Sequence, residues 1–237
     1  MVRLSVNLNK VALIRNSRGS NYPNLVQVAQ DCERFGAQGI TVHPRPDERH
    51  CKFSDLPLLK AVCTTEFNIE GYPDENFIQQ VLAVQPHQCT LVPDNPSQIT
   101  SDHGWNTIKN KSLLQEVIAT LQAKNIRVSL FIDDDEKMIE GAKAVGADRV
   151  EFYTGPFAKH YHQDKQKALG NIVACADLAH QIGLGINAGH DLNLENLAYF
   201  KAQVPHLAEV SIGHALITDA LYYGLQNTIQ MYLAKLR

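Results

Sequence analysis

Eight short apolar runs recur along the chain, and each is followed by a stretch with helical periodicity. The runs predict strands at Leu4–Leu8, Ile40–His43, Glu66–Glu70 and Gln88–Val92, then at Ile126–Ile132, Arg149–Tyr153, Gly185–Asn187 and Glu209–Ile212. Helices are predicted over Asn24–Phe35, Ser54–Val62, Asp74–Val84 and Ser112–Lys124. Four more follow at Asp133–Val145, Asp164–Ile182, Leu194–Ala202 and Ala215–Leu236, while residues 9–22 read as a long loop. One junction repeats: F-G-A-Q-G-I-T-V, K-N-I-R-V-S-L, V-G-A-D-R-V-E-F and I-G-L-G-I-N-A. Glycine or asparagine stops a helix there, and a near-continuous apolar strand follows, the pattern of a parallel sheet covered on both faces.

Eight such units in 237 residues, without a linker or a shift in composition, predict one domain spanning 1–237. Its expected architecture is a closed (β/α)₈ barrel. A doubly wound open sheet is the alternative, but V-N-L-N-K follows the first strand where G-x-G-x-x-G would be needed. With 44% apolar and 20% charged residues the chain can bury a full core. The net charge of −3 argues against general nucleic-acid binding, so any affinity for anions has to come from local clusters. No run approaches the length of a membrane span, and the N-terminus lacks a signal-peptide core. Five cysteines without a C-x-x-C pair read as reduced thiols of a cytosolic protein, with no catalytic partner for Cys51.

In a barrel of this kind, chemistry sits at the carboxyl ends of the strands and in the loops beyond them. Those ends carry Asn7, Asn9 and Lys10; His43, Arg45, Arg49 and His50; Asn68 and Glu70; and Asp133 to Asp135. Glu151 and Thr154 follow, then Asn187, Gly189 and His190, and finally Gly213 and His214. Any one of them could merely satisfy a neighbouring backbone group. Three strand-end histidines beside a glutamate fit acid–base chemistry better. N-A-G-H and S-I-G-H-A place glycine and free amides at expected helix starts, a phosphate-binding arrangement; a tight turn is the plainer reading. The loop 93–111, with Gly104 as a candidate hinge, reads as either a lid or an oligomer contact. His43, Glu70, Glu151 and His190 are also metal-ligand types, which keeps a metal-dependent sugar-phosphate isomerase or aldolase open.

The segments V-N-L-N-K-V-A-L-I-R-N-S-R-G, G-I-T-V-H-P-R-P-D-E-R-H, N-I-E, V-S-L-F-I-D, N-A-G-H and S-I-G-H-A, in this order, resemble the pyridoxine 5′-phosphate synthase family. The resemblance implies a (β/α)₈ barrel that is a cytoplasmic homo-octamer and needs no metal or organic cofactor. It implies condensation of 3-amino-2-oxopropyl phosphate with 1-deoxy-D-xylulose 5-phosphate, giving pyridoxine 5′-phosphate, phosphate and water. By the same resemblance His43 and Glu70 are general bases and His190 is the proton donor. Asn7, Arg18, Gly213 and His214 hold the amino-ketone phosphate, and Arg45, His50 and Thr100 hold the xylulose phosphate. The family usually has Asp-His where this chain has Asn9-Lys10, beside the sugar phosphate, and glycine where it has Asp191. Lys10 cannot serve as a neutral imidazole near pH 7, and the charge of Asp191 is expected to weaken anion binding. These departures motivate a second reading, a divergent paralogue that binds a phosphorylated metabolite without turnover.

Overall fold

The computed structural model describes residues 1–94, 98 and 100–237. Among the described residues eight parallel strands close a barrel in chain order. They are β1 (Arg3–Asn7), β2 (Gly39–Val42), β3 (Glu66–Gly71) and β4 (Gln88–Leu91), followed by β5 (Arg127–Ile132), β6 (Arg149–Tyr153), β7 (Gly185–Gly189) and β8 (Leu207–Ile212). β1 pairs with both β2 and β8, which closes the ring. The first half of the outer layer holds α1 (Asn9–Asn16), α2 (Leu25–Arg34), α3 (Leu56–Val62), α4 (Glu75–Val84) and α5 (Lys111–Gln122). The second half holds α6 (Glu136–Ala144), α7 (Gly155–His160), α8 (Lys165–Ala168), α9 (Ile172–Gln181), α10 (Leu197–Gln203), α11 (His214–Tyr223) and α12 (Leu225–Lys235). None of these helices is long and apolar enough to cross a membrane.

The strands alternate instead of running continuously apolar, and this corrects the sequence expectation. Leu4, Val6, Ile40, Val42, Phe67 and Ile69 are buried in the apolar layer shared with the helices. Their neighbours Ser5, Thr41, Asn68, Thr90, Ser129, Glu151 and Asn187 are buried too, yet polar. They meet one another inside the ring. The Ser5 and Thr41 hydroxyls lie 2.7 Å apart, the Asn68 amide donates to Thr41 Oγ1 at 3.4 Å, and Thr90 donates to Asn68 Oδ1 at 3.2 Å. The hydrophobic core is therefore a sleeve between sheet and helices, where burial of apolar area supplies the main stabilisation. The lumen is lined by hydroxyls, amides and charges. At its amino-terminal floor Glu66 pairs with Arg127 and, at 3.1 Å, with Arg3. Arg3 also lies 3.5 Å from Glu209.

Other differences from the expected elements are local. Residues 9–16 form α1 instead of loop. The single helix expected over 164–182 is broken at Gly170, which takes φ +56°, and a Cβ there would meet the Asp134 carboxylate at 2.5 Å. The last helix is split at Gly224. β7 continues to Gly189, and the next helix begins only at Leu197, so N-A-G-H does not open a helix.

Candidate active site

At the carboxyl ends of the strands lies a cavity of about 360 Å³. Asn7, Asn9, Lys10, His43, Arg45, His50, Glu70, Thr100, His190, Asp191, Gly213 and His214 all line it, so twelve of the expected site residues converge on one opening. Arg18 does not. It is exposed in the turn that ends α1, where its N–H donates to the Arg15 carbonyl.

β2 and β3 deliver the central pair. The His43 side chain is buried and that of Glu70 nearly so, and His43 Nδ1 is 3.9 Å from Glu70 Oε2. Asn7 Nδ2 donates to the same carboxylate oxygen at 3.3 Å. Burial, reinforced by Glu151 and Asp94, holds the Glu70 carboxyl well above the usual glutamate range. Burial, reinforced by Arg45, His50 and Arg49, pushes His43 well below the usual histidine range. Both shifts favour the uncharged forms, a carboxylic acid facing a neutral imidazole. Deeper in the lumen Glu151 is pushed up to about 8 by burial and by Glu209; its nearest donor is the Thr90 hydroxyl at 3.4 Å. Asn9 has a positional role that spacing alone did not reveal. Its Oδ1 accepts the His43 backbone N–H at 2.9 Å, tying the end of β1 to the end of β2.

The loop after β2 supplies cationic groups, and its shape is fixed from below. Arg15 of α1 forms a two-pronged buried pair with Asp55, at 2.7 and 2.8 Å. Asn16 Nδ2 donates to the His50 carbonyl at 2.6 Å and to that of Arg49 at 3.1 Å. Arg15 is thus a clamp under the loop and not a member of the mouth. Arg45 is buried against Asp94 at 2.6 Å, and the Ser101 hydroxyl donates to the same Asp94 oxygen. Burial and then Arg49 push His50 down to about 4, which leaves it neutral at physiological pH.

β7 and β8 close the ring. His190 Nε2 is 2.8 Å from the Thr100 hydroxyl and Nδ1 is 3.0 Å from Asp191 Oδ2. Gly213 is the N-cap of α11 and offers no side chain, so the first-turn amides beside His214 are available to an anion. A Cβ at Gly213 would sit 3.0 Å from Asn7 Cβ, so a larger residue would have to push the Asn7 side chain back.

Sequence reasoning missed Asp94, Ser101, Phe131 and Ser211. Asp94 and Ser101 lie in a segment without periodicity, where no spacing marks them. The lid expected over 93–111 falls partly on residues 95–97 and 99, which lie outside the described residues. Gly104 is closely packed: a Cβ there would lie 2.3 Å from the Asp133 backbone nitrogen. Next to it the Trp105 indole donates to the Leu91 carbonyl at 2.9 Å. Burial pushes the Cys51 thiol up, away from the reactive thiolate form. Among the described residues no group of three or more His, Cys, Asp or Glu side chains is arranged to hold a metal ion.

The family model for the pyridoxal phosphate biosynthesis protein PdxJ matches residues 4–237. A protein from Parabacteroides distasonis named pyridoxine 5′-phosphate synthase is 58% identical over 234 residues, covering 99% of this chain and 98% of that protein. One of the same name from Cytophaga hutchinsonii is 57% identical over the whole of both chains. Among solved structures, phosphoribosylanthranilate isomerase from Thermotoga maritima superposes with a TM-score of 0.63 at 14% identity, covering 100% of this chain and 98% of that one. A tryptophan synthase chain from M. tuberculosis gives 0.66 at 11% identity, covering 100% and 92%. At such identities the likeness is one of fold alone.

Proposed function

The chain belongs to the PdxJ family of pyridoxal phosphate biosynthesis proteins, and on that premise we propose that its mouth carries out the pyridoxine 5′-phosphate synthase reaction. In that reaction 3-amino-2-oxopropyl phosphate and 1-deoxy-D-xylulose 5-phosphate give pyridoxine 5′-phosphate, inorganic phosphate and water. The observation that carries the assignment is one cavity holding an acid–base pair whose burial favours the uncharged forms, a second imidazole and two separate places for anions. One place is the open start of α11 with Gly213, His214 and Asn7; the other is formed by Arg45, His50, Thr100, Asn9 and Lys10. Two phosphorylated substrates need two such places.

The chemistry is a sequence of proton transfers around an amine–ketone condensation, a ring closure and the departure of water and phosphate. His43, uncharged, takes a proton from the condensing intermediate. Glu70, whose burial favours the protonated form, exchanges its proton with the reacting groups beside His43. His190, on the other side of the cavity, protonates a leaving group. Holding two phosphate esters in register contributes alongside these groups, since effective concentration in a fixed geometry removes several kcal/mol of barrier.

The same reading includes the assembly and compartment that go with the family, a cytoplasmic homo-octamer. The exposed run Leu221, Tyr222 and Tyr223 on α11 and the exposed Leu13 and Ile14 on α1 support a subunit contact, and five free cysteines support a reducing compartment. Light scattering checks the assembly. The activity is tested by mixing the purified protein with both substrates: pyridoxine 5′-phosphate and released phosphate are expected together. Binding of both substrates without turnover would favour the paralogue reading, as would failure to complement a strain unable to make vitamin B6.

A further inference from the structure

We propose that Asp191 is a positioning residue that acts through His190, fixing which ring nitrogen exchanges the catalytic proton. The inference rests on the reading of His190 as proton donor. The family resemblance makes Asp191 a foreign negative charge beside a phosphate, but the structure places its carboxylate on the imidazole. Oδ2 lies 3.0 Å from His190 Nδ1. Nδ1 is buried and makes no aligned hydrogen bond among the described residues, so the carboxylate acts on it as a charge at close range. Contact with His190 in turn holds Asp191 below the usual aspartate range, which keeps it ionised.

The backbone is arranged to keep the two side chains together. His190 and Asp191 are consecutive residues in the left-handed region, at φ +76° and +56°, a conformation sparsely used outside glycine and the short polar residues. It is pinned from both sides. The buried Thr154 hydroxyl lies 2.7 Å from the Gly189 carbonyl oxygen and also contacts that of His190. The Asn193 and Asn196 side-chain amides donate to the Asp191 carbonyl at 3.4 and 3.3 Å. Strain held this firmly next to a cavity is the pattern of a functional constraint.

With an anion at Nδ1, the ring proton rests there, and Nε2 is left as the nitrogen that faces Thr100 and the cavity. Proton delivery then occurs at Nε2, and the positive charge on the ring is balanced by a carboxylate already in place. No atom of Asp191 has to touch substrate for this. A carboxylate hydrogen-bonded to the Nδ1 of a catalytic imidazole is known to matter through the tautomer it selects.

The test uses the full chain with ¹⁵N-labelled histidine and three variants, Asp191→Gly, Asp191→Asn and His190→Gln. Glycine suits the left-handed backbone, so Asp191→Gly should melt at or above the temperature of the parent, which removes misfolding as an explanation. Both Asp191 variants should lower kcat by about tenfold or more and move KM for either substrate by less than about threefold. The ¹⁵N signals that vanish in His190→Gln identify His190, and in the Asp191 variants they should shift from the Nδ1–H form toward a tautomer mixture. If kcat and the tautomer signals both stay unchanged, the inference is overturned. It is also overturned if KM falls while kcat holds, since Asp191 would then act only as a charge beside a phosphate. Full turnover in His190→Gln would instead overturn the reading of His190 itself.

Discussion

The floor and the mouth of the barrel are built from the same side-chain type, a glutamate inside a strand, and treat it in opposite ways. On the floor Glu66 is met by guanidinium groups of Arg3 and Arg127. At the mouth Glu70 is met by the Asn7 amide and the His43 ring, and deeper in the lumen Glu151 is met by the Thr90 hydroxyl. Glu209 is intermediate: burial and Glu66 push it up to about 7 against the opposing pull of Arg3. The difference separates two uses of buried charge. A carboxylate met by fixed cations ties strands together, whereas burial without one favours the protonated form, which has a proton to give.

The strongest way to break this contrast is to neutralise each end in turn. Glu70→Gln and His43→Asn should each lower turnover by about a hundredfold or more. Because glutamine resembles a protonated glutamate and never ionises, Glu70→Gln should raise the urea midpoint at neutral pH, where the upward-shifted Glu70 costs the parent protein stability. Unchanged turnover in both variants would remove the acid–base roles. Glu66→Gln should do the reverse. It leaves two arginines short of their anion and should destabilise by about 2 kcal/mol, a figure reduced because both arginines reach solvent, while turnover stays within a few-fold. Urea unfolding and initial rates on the same preparations decide this.

A subtler comparison uses pH. Glu151 titrates at about 8 in the fold, against an ordinary 4.5, so between those values the folded state holds more protons than the unfolded state. Its contribution to stability is complete below about pH 4.5 and is lost as pH rises toward 8, by at most about 1.4 kcal/mol per pH unit. His50, pushed down to about 4 from 6.5, works in the other direction over pH 4 to 6.5. Glu151→Gln should therefore lose less stability than the parent protein between pH 5 and pH 8, as read from urea midpoints. Parallel curves would show that Glu151 is ionised in the fold. The smallest effect is expected from Asn9→Ala, which removes the acceptor for the His43 N–H. It should cost about 1 kcal/mol and lower turnover by less than about tenfold.

The barrel was legible because eight apolar runs alternate with helical stretches, and at four junctions glycine or asparagine stops the helix just before the strand, which allows few other architectures. The inner face was less so. R-L-S-V-N, E-F-N-I-E and R-V-E-F-Y do alternate, but buried valine, leucine and phenylalanine at every second place give the impression of continuous apolar strands. α1 was hidden because it starts two residues after β1 with no side-chain cap, so nothing local marks its beginning. α7 did leave a signal, a proline in its first turn, which went unused. For the site, residues fixed by strand ends could be listed from position alone. Asp94 and the contact from Asp191 to His190 depend on how loops fold over the mouth, which no spacing rule encodes.

The alternation within each strand has a consequence for how this protein can change. Neighbouring positions on β3 answer to different selective pressures, Ile69 to folding and Glu70 to reactivity, so substitutions at one leave the other largely untouched. Adding or deleting a single residue inside a strand would exchange the two sets and ruin both at once. Evolution of the lumen is thereby confined to point replacements at every second site, while changes of length are left to the connecting segments.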